Sequence, residues 1–183
     1  MQVKEQNLEE IKVKLVGIQT DLSKINYIES ALLGNFDSET KRYLWVLVSE
    51  LYESRKMYEK AGRAMSAKAN AEVIFRETID SYLKAGELFA KAGNVSESEL
   101  MFIRAMRIGN DEQKLKIKFA MKNIFLINAE VFARSRRNVA VVFYERLMEL
   151  KLEADEKQQI KQKLMAIYQS LGRFKDVKLL EGR

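Results

Sequence analysis

The chain has 183 residues, 32 basic and 26 acidic, and its formal net charge is +6. It has no histidine and no cysteine, which excludes Cys/His metal sites and histidine-activated serine or cysteine nucleophiles. We therefore predict a non-enzymatic protein with no cofactor and no metal, although catalysis by carboxylates or lysines alone stays open.

The sequence carries no signal for a membrane or for export. No window approaches 18 uninterrupted apolar residues, so we expect no transmembrane segment. The N-terminal residues contain acids and no apolar run, unlike a signal peptide. We therefore expect a cytoplasmic protein.

Residues 3–33 have the pattern of one long helix. Apolar residues step by three and four, as in a coiled-coil seam: Leu8, Ile11, Leu15, Ile18, Leu22, Ile25 and Leu32. The seam either folds back on the same chain as a helical hairpin or joins copies as a homo-oligomer, and both interpretations stay open.

A second long helix is predicted from Ser38 to Lys68, after a turn in which Asp37 caps its start. The segment around Gly62 is similar in sequence to the segment around Gly86, 24 residues later. This similarity indicates close helix packing at both glycines. A boundary at Asn70 divides the chain into an N-terminal hairpin, residues 1–69, and a helical array, residues 70–183. We expect the two parts to pack as one unit.

The pattern of residues 79–110 predicts a helical hairpin. A helical apolar stripe runs to Ala92, Gly93-Asn94 ends the first helix, and Ser96 with Glu99 has the spacing of a capping box for the second. A glycine inside a helix is unfavourable by about 1 kcal/mol relative to alanine. We therefore expect Gly86 to face a bulky side chain at a close helix contact.

This hairpin resembles a tetratricopeptide repeat, whose pattern alternates aromatic and small residues over two antiparallel helices. The matching positions are Tyr82, Ala85, Gly86, Phe89, Ser98, Phe102 and Ala105. Two positions depart from the family pattern: Ser98 replaces an alanine, and Asn110 stands where the closing proline belongs. The resemblance covers one repeat and implies a superhelix of helical hairpins that binds protein or peptide.

Four more helices follow, at about residues 112–135, 138–150, 154–171 and 174–180. The resemblance implies that the first helix of each hairpin lines a concave, partner-binding surface. The residues carried over to that surface are Leu83, Glu87, Lys91, Phe125 and Phe132. The alternative for the two phenylalanines is a place in the core, because helices this apolar are usually buried on most sides.

Residues 104–146 are rich in basic side chains. Lys114, Lys118 and Lys122 form a row of every fourth residue, and Arg134, Arg136 and Arg137 extend it. Such a surface attracts an anionic partner such as nucleic acid, or it is simply a solvated face.

Together these observations predict an all-α superhelix of about eight antiparallel helices. The function we expect is a non-enzymatic scaffold or adaptor that binds a helix or peptide. The alternative is a nucleic-acid-binding or regulatory protein that uses the basic surface of residues 104–146.

Overall fold

The computed structural model describes residues 3–182 and contains ten α-helices and no strand in that range. The predicted all-α class is therefore confirmed, whereas the predicted count of about eight helices is wrong. The helices are α1 Leu8–Gly17, α2 Asp21–Leu32, α3 Ser38–Ser54, α4 Tyr58–Ala71, α5 Phe75–Ala92, α6 Val95–Ile108, α7 Asp111–Ser135, α8 Arg137–Glu149, α9 Ala154–Ser170 and α10 Phe174–Glu181.

The predicted helix over residues 3–33 is two helices. α1 ends at Gly17, and Ile18 is extended. Thr20 then caps α2 by accepting a hydrogen bond from the Ser23 backbone N–H at 3.2 Å. The hydroxyl of Thr20 satisfies a free donor of the new helix, so the chain restarts where the apolar spacing alone predicts continuity.

The predicted helix from Ser38 to Lys68 is also two helices, separated by residues 55–57. Lys56 adopts a left-handed conformation with φ of 58°. The Met57 N–H donates to the Tyr52 carbonyl at 2.8 Å, which closes the end of α3. No glycine, proline or asparagine marks this turn, so the sequence pattern did not reveal it. Asp37 does cap α3, as predicted, and accepts from the Thr40 N–H at 2.7 Å.

Gly93 ends α5 as predicted, but the residue that caps α6 differs from the predicted one. Gly93 is left-handed with φ of 84°. The N–H groups of Gly93 and Asn94 donate to carbonyls of the last turn of α5, both at 2.9 Å. Asn94, and not Ser96, caps α6 by accepting from the Glu97 N–H at 3.2 Å. The predicted Ser96–Glu99 capping box is wrong because α6 begins two residues earlier than that motif requires.

Both interior glycines lie at the close helix contacts predicted for them. A Cβ added to Gly86 would come within 2.9 Å of the buried Phe102 ring, and one added to Gly62 within 3.1 Å of the Phe89 ring. Ser98 also has a role at the first contact, because its hydroxyl donates to the Gly86 carbonyl at 2.7 Å. The small side chains therefore allow the helix backbones to approach.

The α3–α4 hairpin repeats the packing of the α5–α6 hairpin at an offset of 37 residues. Ser49 corresponds to Gly86 and Ala61 to Ser98, and the Ser49 hydroxyl donates to the Ala61 carbonyl at 3.0 Å. The left-handed turn residues Lys56 and Gly93 have the same offset. The earlier hairpin has matching aromatic and small residues at Trp45, Ser49, Tyr52 and Ala61, whereas Val48, Met65 and Lys68 replace Ala85, Phe102 and Ala105.

Two apolar clusters form the core. One contains buried residues of α1 to α4 together with Leu88 of α5, and the other extends from Ala69 to Leu180. Met65 of α4 packs against both clusters. The predicted units, 1–69 and 70–183, include residues 1, 2 and 183, which lie outside the described range, and their boundary stays a prediction.

The connections between helices lie on two edges of the array. From α2 onward, consecutive packed helices are joined by only one to five residues, so neighbours run antiparallel. We call the edge with the α3–α4, α5–α6, α7–α8 and α9–α10 connections the turn edge, and the opposite edge the linker edge. α5 also contacts α7, and α6 contacts α8. The first helices of the two central hairpins, α5 and α7, therefore lie side by side.

Candidate protein-binding groove

An open groove lies on the turn edge, where three hairpins meet. Its volume is about 890 Å³. It is lined by residues 56–60 of the α3–α4 turn, by the end of α5 and by the second half of α7. The last two segments contribute Lys91, Ala92, Ile127, Asn128, Val131, Phe132, Ser135 and Arg136.

Apolar side chains form the floor of the groove. Ile127 and Val131 are one helical turn apart on α7 and are 61% and 56% exposed. Met57 faces them from the α3–α4 turn and is 36% exposed. Exposed aliphatic side chains grouped in a concavity are typical of a surface that binds another protein.

The rim of the groove is mainly basic. The lining includes Lys56, Lys60, Lys91 and Arg136, against one acidic residue, Glu59. Glu59 is engaged by Arg63 at 2.6 Å. Lys91 is itself paired with Glu53 and Glu87, so the remaining positive charge of the rim comes from Lys56, Lys60 and Arg136. This charge favours a partner that carries negative charge.

Arg136 is held in place by two contacts. Its guanidinium lies 4.3 Å from the centre of the Phe132 ring, and it donates to the Ala92 carbonyl at 3.1 Å. It thus satisfies a carbonyl at the C-terminus of α5 and joins α5 to α7. Arg136 was predicted as an anion-binding residue, and the structure gives it this packing role as well.

Leu83, Glu87 and Lys91, the predicted partner-binding residues of α5, are occupied by contacts within the chain. Leu83 packs against the second core cluster. Lys91 binds Glu87 at 2.7 Å and Glu53 of α3 at 2.9 Å. Only Lys91 of the three lines the groove.

The carboxylate of Glu53 is the centre of this ionic network. Burial acts to raise the pKa of Glu53, but hydrogen bonds from Lys84 and Lys91 outweigh burial and lower it from 4.5. Burial likewise acts to lower the pKa of Lys91, and its bonds to Glu87 and Glu53 raise it from 10.5. The network links α3 to α5 beside the groove.

Phe125 and Phe132 are core residues and do not offer exposed aromatic surface to a partner. Phe125 is 1% exposed and Phe132 is 5% exposed. Both rings pack on Phe143 of α8, with centroids 5.3 and 5.9 Å away. The core alternative is therefore correct for both rings, because α8 covers the face of α7 that carries them, although Phe132 also contributes to the lining of the groove.

Sequence reasoning missed Ile127 and Val131, the exposed apolar residues of the same helix. α7 has apolar residues around most of its circumference, so periodicity did not distinguish its buried face from its exposed face. No local sequence signal marks them, because the 37-residue recurrence relates α3–α4 to α5–α6 and does not extend to α7, where Phe132 follows Phe89 by 43 residues.

Two of the six basic residues of the predicted basic surface are paired with acids. Lys114 binds Asp111 at 3.0 Å, and Lys122 binds Glu156 of α9 at 2.7 Å. Within residues 3–182, the other exposed basic residues of the row make no ion pair: Lys118, Arg134 and Arg137. The nucleic-acid alternative stays a prediction, with fewer free charges than the sequence implies.

The predicted oligomerisation seam of residues 3–33 is mainly filled by the chain itself. Ile11, Leu15 and Ile25 are at most 6% exposed and belong to the first core cluster. Leu22 is an exception, at 55% exposed. The intramolecular interpretation therefore describes most of the seam.

Between residues 3 and 182, no three acidic side chains are grouped so as to hold a metal ion. In the same range, no helix combines the length and the apolar character needed to cross a membrane.

Comparisons with known proteins gave no relative. A scan against models of protein families found no match, and a search among curated proteins found none either. The function of the chain is therefore inferred from the packing and exposure of its own residues.

Proposed function

We propose that the protein is a non-enzymatic scaffold or adaptor that binds a helix or an extended peptide of a protein partner in the groove. The observation that carries this proposal is the group formed by Met57, Ile127 and Val131, three exposed apolar side chains in one open concavity with a basic rim. A protein segment with apolar and acidic side chains is complementary to this surface.

The helical hairpins support a tetratricopeptide-like array as the scaffold. The packing of α5–α6 recurs in α3–α4 at an offset of 37 residues. In every hairpin from α3 to α10, an aromatic residue precedes the turn: Tyr52, Phe89, Phe132 and Tyr168. Stacked hairpins of this kind form extended surfaces suited to protein partners.

The shape of the groove also favours a peptide over a small molecule. It is open, and its walls come from three separate hairpins. Small-molecule sites usually enclose most of the ligand surface, whereas a helix or peptide can lie across an open groove with one face in solvent.

Peptide selection tests the proposal. A random 16-residue peptide library is panned against the immobilised protein, and the dissociation constants of the enriched peptides are then measured. We expect Val131→Glu to weaken their binding at least about tenfold, because it places a charge on the apolar floor.

Leu115→Glu is the matched control. Leu115 lies on the same helix, is 68% exposed and does not line the groove, so we expect this change to leave peptide binding unaltered. Enriched peptides that bind the Val131→Glu variant as tightly as the wild type would place the site elsewhere. No enrichment at all would refute the proposed function.

A further inference from the structure

An exposed apolar segment lies on the linker edge, between α4 and α5. Val73, Ile74 and Phe75 are consecutive, and their exposed fractions are 77%, 56% and 76%. The backbone of this link is extended at Glu72 and Ile74. We call residues 73–75 the knob, because three adjacent apolar side chains project from one short link.

The knob is firmly anchored to the array. The Glu72 side chain, 2% exposed, binds Lys68 at 3.2 Å and lies 3.7 Å from Arg42. Arg42 also donates to the Ala71 carbonyl at 3.3 Å, and Asn70 accepts from the Tyr82 hydroxyl at 2.7 Å. These bonds hold the link in one conformation, so little conformational entropy is lost when the knob binds.

The two edges have opposite charge. Each edge consists of its connections between α2 and α10 together with three helical residues on either side of each connection. The turn edge contains nine basic and four acidic residues, and the linker edge contains three basic and ten acidic residues. Five of the linker-edge acids are paired with basic residues outside these segments: Glu72, Asp111, Glu112, Glu149 and Glu156. The edge that carries the knob therefore keeps a modest excess of negative charge, and the edge that carries the groove keeps an excess of positive charge.

The knob cannot reach the groove of its own chain. It lies at the N-terminus of α5, whereas Lys91 and Ala92 line the groove at the C-terminus of α5. An α-helix rises about 1.5 Å per residue, so the 18 residues of α5 separate the two by about 27 Å. Contact between knob and groove requires two molecules.

We propose that the protein self-assembles head to tail, with the knob of one copy in the groove of the next. The apolar side chains of residues 73–75 contact the floor formed by Met57, Ile127 and Val131, while the acidic linker edge meets the basic turn edge. The two surfaces differ, so each added copy presents a new knob and a new groove, and the assembly is a ring or a filament. This inference rests on the proposed function, since it names a second copy as an occupant of the groove.

The test is the oligomeric state of the wild type and of one variant for each surface, measured by sedimentation velocity. We expect the wild type to form species larger than a dimer as its concentration rises to about 100 µM, and added salt to weaken them. Phe75→Lys on the knob and Val131→Glu in the groove should each lower the association constant at least about tenfold.

An equimolar mixture of these two variants should form a dimer and nothing larger. The Phe75→Lys chain retains its groove and the Val131→Glu chain retains its knob, so one productive contact forms and neither end can extend it. A symmetric contact of like surfaces would instead leave one of the variants fully associated by itself, and that result would overturn the proposal.

Phe119→Lys is the matched control for the knob. Phe119 lies within α7, is 62% exposed, belongs to neither edge and does not line the groove, so its replacement should leave assembly unchanged. Circular dichroism checks that every variant is folded.

A wild type that remains monomeric throughout this concentration range would overturn the self-assembly. If library peptides still bound the groove of such a monomer, the proposed function would stand without this inference. If the wild type assembled and both surface variants stayed fully associated, the knob and the groove would not be the contact.

Discussion

At the scale of single residues, glycine decides how closely the helices approach, because its side chain is a single hydrogen atom. Gly86 and Gly62 lie against the rings of Phe102 and Phe89, and a Cβ at either position would be closer than ordinary van der Waals contact. Phe102 is fully buried, so its ring has no free space into which to move. The glycines are therefore needed for packing, although they are poor helix formers.

We predict that Gly86→Ala destabilises the fold. Overpacking of about 1–3 kcal/mol should exceed the gain of about 1 kcal/mol in helix propensity, for a net loss of about 1 kcal/mol. Urea unfolding at neutral pH measures this change.

Gly17→Ala is the control for this prediction. Gly17 has no heavy atom within 4 Å of an added Cβ, so only helix propensity changes there, and stability should rise slightly. If Gly86→Ala were as stable as the wild type, the contact with Phe102 would not be tight in solution.

At the scale of elements, an ionic network joins α3 to α5. Glu53 accepts from Lys84 and Lys91, each at 2.9 Å, and Lys91 also binds Glu87. The side chains are about one-third exposed, so each pair stabilises less than a buried pair would. The network orients the end of α5 toward the groove.

We predict that the contribution of Glu53 to stability depends on pH. Its pKa is lowered in the folded state from 4.5, so its stabilisation is present above that pH and is lost as the pH falls through the folded-state value. Glu53→Gln should therefore lower the free energy of unfolding by at most about 1 kcal/mol at pH 7. The difference from wild type should shrink below pH 4.

Urea unfolding of both proteins at neutral and acidic pH measures this effect. Glu112→Gln is the control, because the Glu112–Lys116 pair is exposed on both sides and its loss should change stability little. A Glu53→Gln effect of the same size at both pH values would show that charge is not its cause.

At the scale of the whole molecule, the α4–α5 interface connects the two core clusters. Met65 of α4 packs against both, and Leu88 of α5 is buried in the first cluster although most buried residues of α5 belong to the second. Neither cluster can separate without exposing these side chains, so the described part of the chain should unfold as one unit.

We predict that Trp45 fluorescence and far-ultraviolet circular dichroism report the same unfolding midpoint. Trp45 is the only tryptophan and packs against the first cluster, whereas circular dichroism follows the helices of both clusters. Heating the protein while both signals are recorded checks this expectation. Distinct midpoints would show that the clusters unfold separately.

The sequence alone determined the helical class, the Asp37 cap, the Gly93 stop and the close contacts at Gly62 and Gly86. These features depend on backbone geometry and on residues near in sequence, so local patterns report them. No typical turn residue marks the split after Ser54. At the split after Gly17, the continuous apolar spacing predicted one helix although the glycine and the Thr20 cap mark the break.

Only the tertiary structure decided which face of α7 is covered and which charges are paired. α8 buries Phe125 and Phe132 and leaves Ile127 and Val131 open, while Glu53 and Glu156, far along the chain, engage Lys91 and Lys122. The groove is formed by three segments distant in sequence. Its position depends on how the hairpins pack, and apolar periodicity within one helix does not specify that packing.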